Sequence, residues 1–106
     1  MSDAPLGTFE EQVLLAVLRT GAEAYGMSVR RELEQVTGRD VTIGAVYATL
    51  DRLEMKRLVR SRRGTSGGAT RRVFEVTRAG TTALAESRAM RERLWDGVDL
   101  TVPHRS

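Results

Sequence analysis

Arginine is concentrated in one stretch of this 106-residue sequence. Between Arg60 and Arg78 there are six arginines and a single acidic residue, Glu75. Guanidinium groups pair with phosphate through charge and parallel hydrogen bonds, so such a cluster is typical of a nucleic-acid-binding surface. The other interpretation is an ordinary solvated face, because Lys56 is the only lysine and arginine is common along the whole chain. The elements around the cluster decide between the two interpretations.

The sequence offers little to an enzyme. It contains no cysteine, and its single histidine, His104, lies close to the C-terminal end. Thiol nucleophiles and thiolate metal sites are therefore excluded, and the carboxylates are spread over the surfaces of predicted helices instead of being gathered in one place. We expect a protein that is not an enzyme and that uses neither a cofactor nor a metal ion.

The overall composition is typical of a folded protein in water, with 41% hydrophobic and 29% charged residues. The net charge of +3 favours an anionic partner only weakly. No apolar run approaches the roughly 20 residues of a membrane-spanning helix, and the first seven residues lack the pattern of a signal peptide. We expect a cytoplasmic protein with one core and no contact with a membrane.

Three amphipathic helices are predicted in the first half of the chain. Thr8 and Glu11 fit a capping box at the start of the first helix, Gly38 can end the second, and Thr42 can cap the third. The predicted helices cover residues 9–20, 26–37 and 43–56. The buried stripe of the third helix is expected to consist of Val46, Leu50 and Leu53. Three short helices in this order are typical of a helix-turn-helix unit.

The hydrophobic pattern changes to that of strands after the third helix. Residues 58–60 and 72–76 are predicted strands, and the Gly/Ser/Thr-rich residues 64–70 are a predicted loop between them. The arginine cluster lies on this hairpin. A tri-helical unit followed by a basic hairpin is a winged helix-turn-helix, so the predicted fold is mainly α with a small β-hairpin. Residues 1–77 would form this DNA-binding domain.

A last helix of about five turns is predicted after Thr77, which can cap it. Its first half can pack on its own domain, whereas its second half carries apolar residues that one small core cannot readily cover. These residues are Met90, Leu94 and Trp95. A homodimer is the simplest way to bury them, and the alternative is that the helix folds back along the first helix of the same chain. We predict a dimerisation helix over residues 78–100 and a flexible tail over residues 101–106.

Several motifs, in order and at consistent spacing, resemble the PadR-like family of winged-helix transcriptional regulators over nearly the whole chain. They are Leu14-Leu15, Ala24-Tyr25-Gly26, the run from Gly44 through Val46-Tyr47 to Leu50-Asp51-Arg52-Leu53-Glu54, and the run from Arg71 to Thr77 followed by Gly80. Two positions depart from the family pattern, because Arg57 stands where glycine is usual and Ala48 where proline is frequent. The resemblance implies a dimer, in which the last helix packs against the partner's first helix, and most often a repressor.

The third helix is expected to enter the major groove of double-stranded DNA, which is about 12 Å wide. The residues predicted to contact DNA are Thr42, Gly44, Tyr47, Ala48 and Arg52 on that helix and Arg62, Arg63, Arg71 and Arg72 on the hairpin. Tyr47 has a second interpretation, in which it packs beside Tyr25 between helices. Because few of the helix residues carry long polar side chains, we expect phosphate contacts to supply most of the affinity. Selectivity would then depend on the spacing of two half-sites, and a second route is a wing arginine that enters a narrow minor groove.

The resemblance also implies a second ligand, because some members of the family bind planar aromatic compounds between subunits. The residues predicted for the dimer interface and for such an effector site are Phe9, Val13, Met90, Leu94 and Trp95. The other interpretation of Trp95 is that it only fills the interface between subunits.

The sequence therefore predicts a sequence-specific transcriptional regulator, acting as a repressor and binding an inverted repeat as a homodimer. The alternative is a winged-helix module that binds another protein and does not read DNA, since a fold alone does not fix a function. The arginines of the hairpin favour DNA.

Overall fold

The computed structural model describes residues 6–101, and within them it has four α-helices and one two-stranded sheet. The bounds are α1 Thr8–Thr20, α2 Gly26–Thr37, α3 Ile43–Met55, β1 Val59–Ser66, β2 Ala69–Val76 and α4 Arg78–Trp95. A short 3-10 turn, Gly21–Glu23, connects α1 to α2. The prediction of a winged helix-turn-helix is confirmed. Residues 102–106 of the predicted tail, including His104, lie outside the described residues.

The ends of the later helices follow the sequence signals. Gly38 ends α2 in the left-handed conformation, with a φ of 71°. The hydroxyl of Thr42 accepts a hydrogen bond from the backbone N–H of Ala45 at 3.1 Å, and Thr77 caps α4 in the same way with Gly80. These two caps fix where α3 and α4 begin.

The start of α1 differs from the predicted capping box. The N-cap residue is Gly7, whose backbone N–H donates to Glu10 Oε1 at 2.9 Å. The capping box predicted at Thr8 and Glu11 is therefore wrong by one residue. As a consequence, it is Glu10 that turns inward and is buried.

A single hydrophobic core fills the space between the helices and the sheet. It includes Val46, Leu50 and Leu53, which are completely buried as the helical spacing predicts, and Phe74 from β2. Val13 is also completely buried in this core. This corrects the prediction that Val13 lines a dimer interface or an effector site, because its side chain has no exposed surface to offer.

The hairpin of β1 and β2, called the wing below, is longer than predicted. The strands pair antiparallel from Val59 opposite Val76 as far as Ser66 opposite Ala69. The loop predicted over residues 64–70 shrinks to the turn at Gly67 and Gly68, because two glycines with positive φ suit the tight turns that match strand twist. On its other side, β2 hydrogen-bonds to Ala24, since the N–H of Phe74 donates to the Ala24 carbonyl at 2.7 Å.

Arg57 and Gly80 lie at the two connections of the wing, the first between α3 and β1 and the second in the first turn of α4. Arg57 has a φ of 63°, so a non-glycine residue occupies the left-handed conformation directly after α3. Gly80 lies so close to the start of β1 that a Cβ atom there would be 2.2 Å from the Leu58 carbonyl oxygen. The first turn of α4 therefore packs tightly on the base of the wing.

The second half of α4 leaves the core, as the sequence predicts. Ser87 is the last buried residue of α4, and the residues after Arg91 are exposed. The Arg91 guanidinium forms an ion pair with Glu11, which joins α4 to α1 of the same chain. Among the described residues, no helix is both long and apolar enough to cross a membrane.

Candidate nucleic-acid interface

One side of α3 faces away from the core and is open to a ligand. The structure places all five of the predicted α3 positions on exposed surface, namely Thr42, Gly44, Tyr47, Ala48 and Arg52. Asp51 and Met55 lie along the same side, and Met55 is 85% exposed. This surface has the width of a helix and few long side chains, which suits the major groove of DNA.

Tyr47 packs between helices, which was one of its two interpretations. Its ring lies against the backbone of Gly26 at the start of α2, where a Cβ atom would be 2.3 Å from Tyr47 Cζ. The side chain is nevertheless 37% exposed. Tyr47 therefore joins α3 to α2 and still presents part of its surface beside the predicted DNA-binding face.

The wing carries an open groove on its surface that is lined by arginine. The lining residues are Ser61, Arg62, Arg63, Thr70, Arg71 and Arg72. The strand register places these four arginines at neighbouring positions of the hairpin. Arg63 pairs directly with Arg72, so these two side chains share one face of the wing, while Arg62 and Arg71 share the other. All four predicted wing arginines are thus brought together around a short stretch of hairpin.

The wing arginines differ in their surroundings. Arg62 and Arg63 are exposed and form no ion pair with the described residues. Arg71 lies over the ring of Tyr25, with its guanidinium carbon 4.3 Å from the ring centre. The negative potential of the ring face holds this guanidinium in place.

Arg72 is held by acidic residues of α3. Its guanidinium donates to Asp51 Oδ1 at 2.8 Å and to Glu54 Oε1, and its Nε donates to Ser61 Oγ at 3.1 Å. Glu54 also accepts from the backbone N–H of Ser61 at 3.0 Å. Partial burial on its own would raise the pKa of Glu54, but the hydrogen bonds from Ser61 and Arg72 outweigh it and lower that pKa. The cluster ties the wing to α3.

Arg52 is also in an ion pair. Its Nε donates to Glu10 Oε2 at 3.2 Å, and Lys56 Nζ donates to the same oxygen at 2.8 Å. Burial alone would raise the pKa of Glu10, but the hydrogen bonds from Lys56, Gly7 and Arg52 lower it below its ordinary value. A buried carboxylate at the start of α1 therefore holds two cations at the C-terminal end of α3.

Sequence reasoning missed the role of Glu10. The only signal was the spacing of Gly7 and Glu10, which fits a capping glutamate three residues after a glycine N-cap. Thr8 and Glu11 gave the stronger pattern one residue later. Nothing in the spacing along the chain indicated that residues 42 and 46 positions further on would meet this carboxylate.

The apolar strip on α4 lies apart from the wing and α3. Met90, Leu94 and Trp95 are 38%, 69% and 58% exposed, and Val98 and Leu100, which follow the helix, are also exposed. Phe9, by contrast, is partly buried against the core. Within residues 6–101 there is no group of three or more His, Cys, Asp or Glu side chains placed to hold a metal ion.

Comparison of the chain with known protein families gives a match to a family model. The model of the "Transcriptional regulator PadR-like family" matches residues 14–86, a range that contains α2, α3 and the whole wing. The chain belongs to the PadR-like family. Membership places it among transcriptional regulators, and it confirms the resemblance that the motifs indicated.

Known relatives support the same assignment. This PadR-like chain is 39% identical over 72 residues to "Transcriptional regulator Rv3488" of Mycobacterium tuberculosis (strain ATCC 25618 / H37Rv). The match covers 68% of this chain and 66% of that relative, so it spans slightly less than two thirds of the relative's length.

Two solved structures show the extent of the shared fold. A PadR family transcriptional regulator from Eggerthella lenta DSM 2243 has a TM-score of 0.66 at 27% identity, covering 80% of this chain and 75% of its own. A PadR-like transcriptional regulator from Bacillus cereus strain ATCC 14579 has a TM-score of 0.77 at 21% identity, covering 93% and 95%. The second match shows that the PadR-like fold extends along nearly all of this chain.

Proposed function

We propose that this PadR-like chain is a homodimeric transcriptional repressor that binds an inverted repeat in double-stranded DNA. It acts in the cytoplasm, where its DNA is, and it catalyses no reaction. The observation that carries the proposal is the joining of two surfaces by Arg72. Arg72, which lines the arginine groove of the wing, is ion-paired with Asp51 and Glu54 of α3, so one side of the groove adjoins the exposed face of α3.

Affinity would come mainly from the wing. Arg62 and Arg63 are exposed cations without ion-pair partners in the described part of the chain, and Arg71 is stacked on Tyr25. Arg62 and Arg63 can reach a phosphate without first breaking an ion pair. The N-terminus of α3, capped by Thr42, is a further anion-binding element.

Arg52 and Arg72 would act differently from the other predicted contacts. A guanidinium that already donates to a carboxylate keeps further N–H donors, but its charge is partly neutralised and its orientation is fixed by that bond. Arg72 is proposed to orient the wing and to neutralise Asp51 and Glu54 on the DNA side. Arg52 is proposed to keep its ion pair with Glu10 when DNA is bound.

The homodimer would form through the exposed apolar strip of α4. Met90, Leu94 and Trp95 present one side of the helix to solvent, and a second copy is the simplest cover for such a surface. Two copies related by a twofold axis would present two α3 helices to one duplex. The operator would then be an inverted repeat whose spacing reflects the dimer.

We also propose that a planar aromatic effector binds between the subunits, against Trp95. The support is the exposed indole ring beside other apolar side chains, since such rings prefer offset stacking. Trp95 is the only tryptophan in the sequence, so quenching of its fluorescence reports directly on this site. A panel of flavins and aromatic drugs that leaves the fluorescence of a verified dimer unchanged would contradict the effector.

The test of the function is selection of bound sequences from a pool of random duplexes. Recovery of an inverted repeat would establish DNA reading, dimer symmetry and half-site spacing together. Placing that repeat over a promoter upstream of a reporter gene then tests repression, because a repressor lowers the reporter signal. Failure to enrich any sequence would contradict sequence-specific binding.

A salt titration distinguishes DNA binding from protein binding. Each phosphate that the protein neutralises adds about 0.9 to the steepness with which log K falls against log salt. We expect each of the single variants Arg62→Ala and Arg63→Ala to flatten the slope by about 0.9 per protomer. Arg88→Ala, which removes an exposed arginine from α4, is the matched control and should leave the slope unchanged. A wild-type protein with no salt dependence would instead indicate a protein-binding module.

A further inference from the structure

The exposed surface of α3 carries methyl groups and bare backbone on its first turns, and the N-terminal residues of a recognition helix are the ones that contact base edges in helix-turn-helix proteins. Gly44, Ala45 and Ala48 are exposed on the first turns of the helix. Ala48 lies four residues after Gly44 and three after Ala45, so the three positions are neighbours on the helix surface. Around Gly44 there is no atom within 4 Å of an ideal Cβ, which leaves the space in front of the backbone open.

The longer polar side chains on the same surface are already occupied. Asp51 accepts a hydrogen bond from Arg72, and Arg52 donates to Glu10 at 3.2 Å and to Thr49 Oγ1 at 3.4 Å. A bidentate contact with guanine needs two free guanidinium donors. Arg52 keeps free donors on Nη1, but the bonds of its Nε to Glu10 and of its Nη2 to Thr49 fix the direction in which those donors point.

We infer that α3 reads thymine through its 5-methyl group, with Ala48 as the main contact and Ala45 beside it. This inference rests on the proposed function and names the bases that the same surface selects. Thymine is the base that presents a methyl group in the major groove, and alanine is one of the side chains that contacts it. The missing Cβ of Gly44 lets the edges of the bases approach the helix closely.

The DNA side of the test uses the repeat recovered from the random pool. Each thymine of a half-site is replaced in turn by deoxyuridine, which removes the methyl group and keeps the Watson–Crick edge. We expect the Kd to rise about fourfold at each contacted thymine, the factor that corresponds to one buried methylene-sized group. Replacing each guanine by 7-deazaguanine removes an acceptor that arginine would use, and we expect no change in Kd.

The protein side uses Ala48→Gly. The quantity compared is the ratio of the Kd for uracil to the Kd for thymine at one position, measured with the same protein. Any loss of helix stability caused by the glycine raises the Kd for both duplexes by the same factor, so it cancels in the ratio. The ratio should fall from about 4 to about 1 at the position read by Ala48. Ala85→Gly, which removes an exposed methyl group from α4, should keep the wild-type ratio.

The outcomes separate the inference from the function on which it rests. Loss of affinity with 7-deazaguanine but not with deoxyuridine would overturn the inference and assign base reading to Arg52. Equal binding to all modified duplexes would also overturn it, because α3 would then read no base directly. If no sequence is enriched from the random pool, the proposed function fails, and the inference fails with it.

Discussion

The ring of Tyr47 on α3 lies directly against the backbone of Gly26, the first residue of α2. A Cβ atom at residue 26 would lie 2.3 Å from Tyr47 Cζ and 2.5 Å from its hydroxyl oxygen. Only glycine leaves room for this contact. Two of the motifs that indicated the PadR-like family, one around residue 26 and one around residue 47, therefore describe a single contact between helices.

Gly26→Ala is expected to destabilise the fold by about 1–3 kcal/mol, the usual cost of forcing an extra carbon into a packed site. The added methyl group has to displace the Tyr47 ring or separate α2 from α3. Urea unfolding, followed by circular dichroism, measures the decrease in stability.

Gly44→Ala is the matched control, because a Cβ at residue 44 meets no atom within 4 Å and alanine favours a helix. We expect it to keep or raise the stability. The double variant Gly26→Ala/Tyr47→Ala removes the ring that the new methyl group meets. If Gly26→Ala costs the same with and without the ring, the clash does not explain the destabilisation.

Features that depend on neighbouring residues could be predicted from the sequence. Helix bounds, caps at Thr42 and Thr77 and the buried stripe of α3 depend on neighbouring residues, and they were predicted from local spacing. The wing strands were predicted too short, because glycine, serine and threonine weaken the strand pattern although the Gly67-Gly68 turn extends the pairing.

The ion pairs of the site could not be predicted. Arg72 meets Asp51 and Glu54, which are 21 and 18 residues away, and Arg52 meets Glu10 across 42 residues. Such contacts depend on how the wing and α1 pack around α3, and charge composition gives no information on which partners meet. The sequence thus located the candidate DNA-binding surface but could not show which of its arginines are already paired.

Arg72→Ala is expected to weaken DNA binding while flattening the salt slope by less than removal of a phosphate-binding arginine would. It uncovers Asp51 and Glu54 beside the candidate DNA-binding surface, and it releases the wing from α3. The decrease in folding stability should be at most about 1 kcal/mol, because these groups are partly exposed. Fluorescence anisotropy at several salt concentrations measures both the affinity and the slope.

Asp51→Asn in the Arg72→Ala background provides the check. It removes one of the two uncovered charges, so it should restore part of the affinity. A slope that falls by about 0.9 per protomer in Arg72→Ala, with no rescue by Asp51→Asn, would show that Arg72 binds a phosphate directly.

Glu10→Gln is expected to strengthen DNA binding and steepen its salt dependence. The carboxylate holds Arg52 and Lys56, and its removal leaves two cations free at the end of α3. Stability should fall by about 1.5–3 kcal/mol, the usual worth of hydrogen bonds to a charged group. Glu11→Gln breaks the ion pair with Arg91 on α4 and serves as the control. If both variants bind DNA like the wild type, Glu10 does not restrain these cations.

Stability should fall as the pH drops below the ordinary glutamate pKa of 4.5. The pKa values of Glu10 and Glu54 are lowered in the folded chain, so in this window the unfolded chain binds more protons than the folded one. The stabilisation is complete above the unfolded value and is lost as the pH falls through the folded values. Urea unfolding between about pH 6 and pH 3 should show this decrease, and a smaller decrease in Glu10→Gln/Glu54→Gln. An equally steep decrease in the double variant would assign the acid sensitivity to other groups.

Leu94→Lys is expected to convert the proposed dimer into a monomer of 11.7 kDa. Leu94 is the most exposed residue of the strip on α4, and a lysine there would place a charge in the centre of an apolar interface. Light scattering coupled to size exclusion measures the mass, and Val36→Lys, at a 57% exposed apolar position on α2, is the control. Because the wing and α3 remain intact, the monomer should still bind a single half-site, with a salt slope about half that of the dimer. A variant that stays dimeric would place the interface elsewhere, and a wild type that is already monomeric would remove the spacing of half-sites from the mechanism.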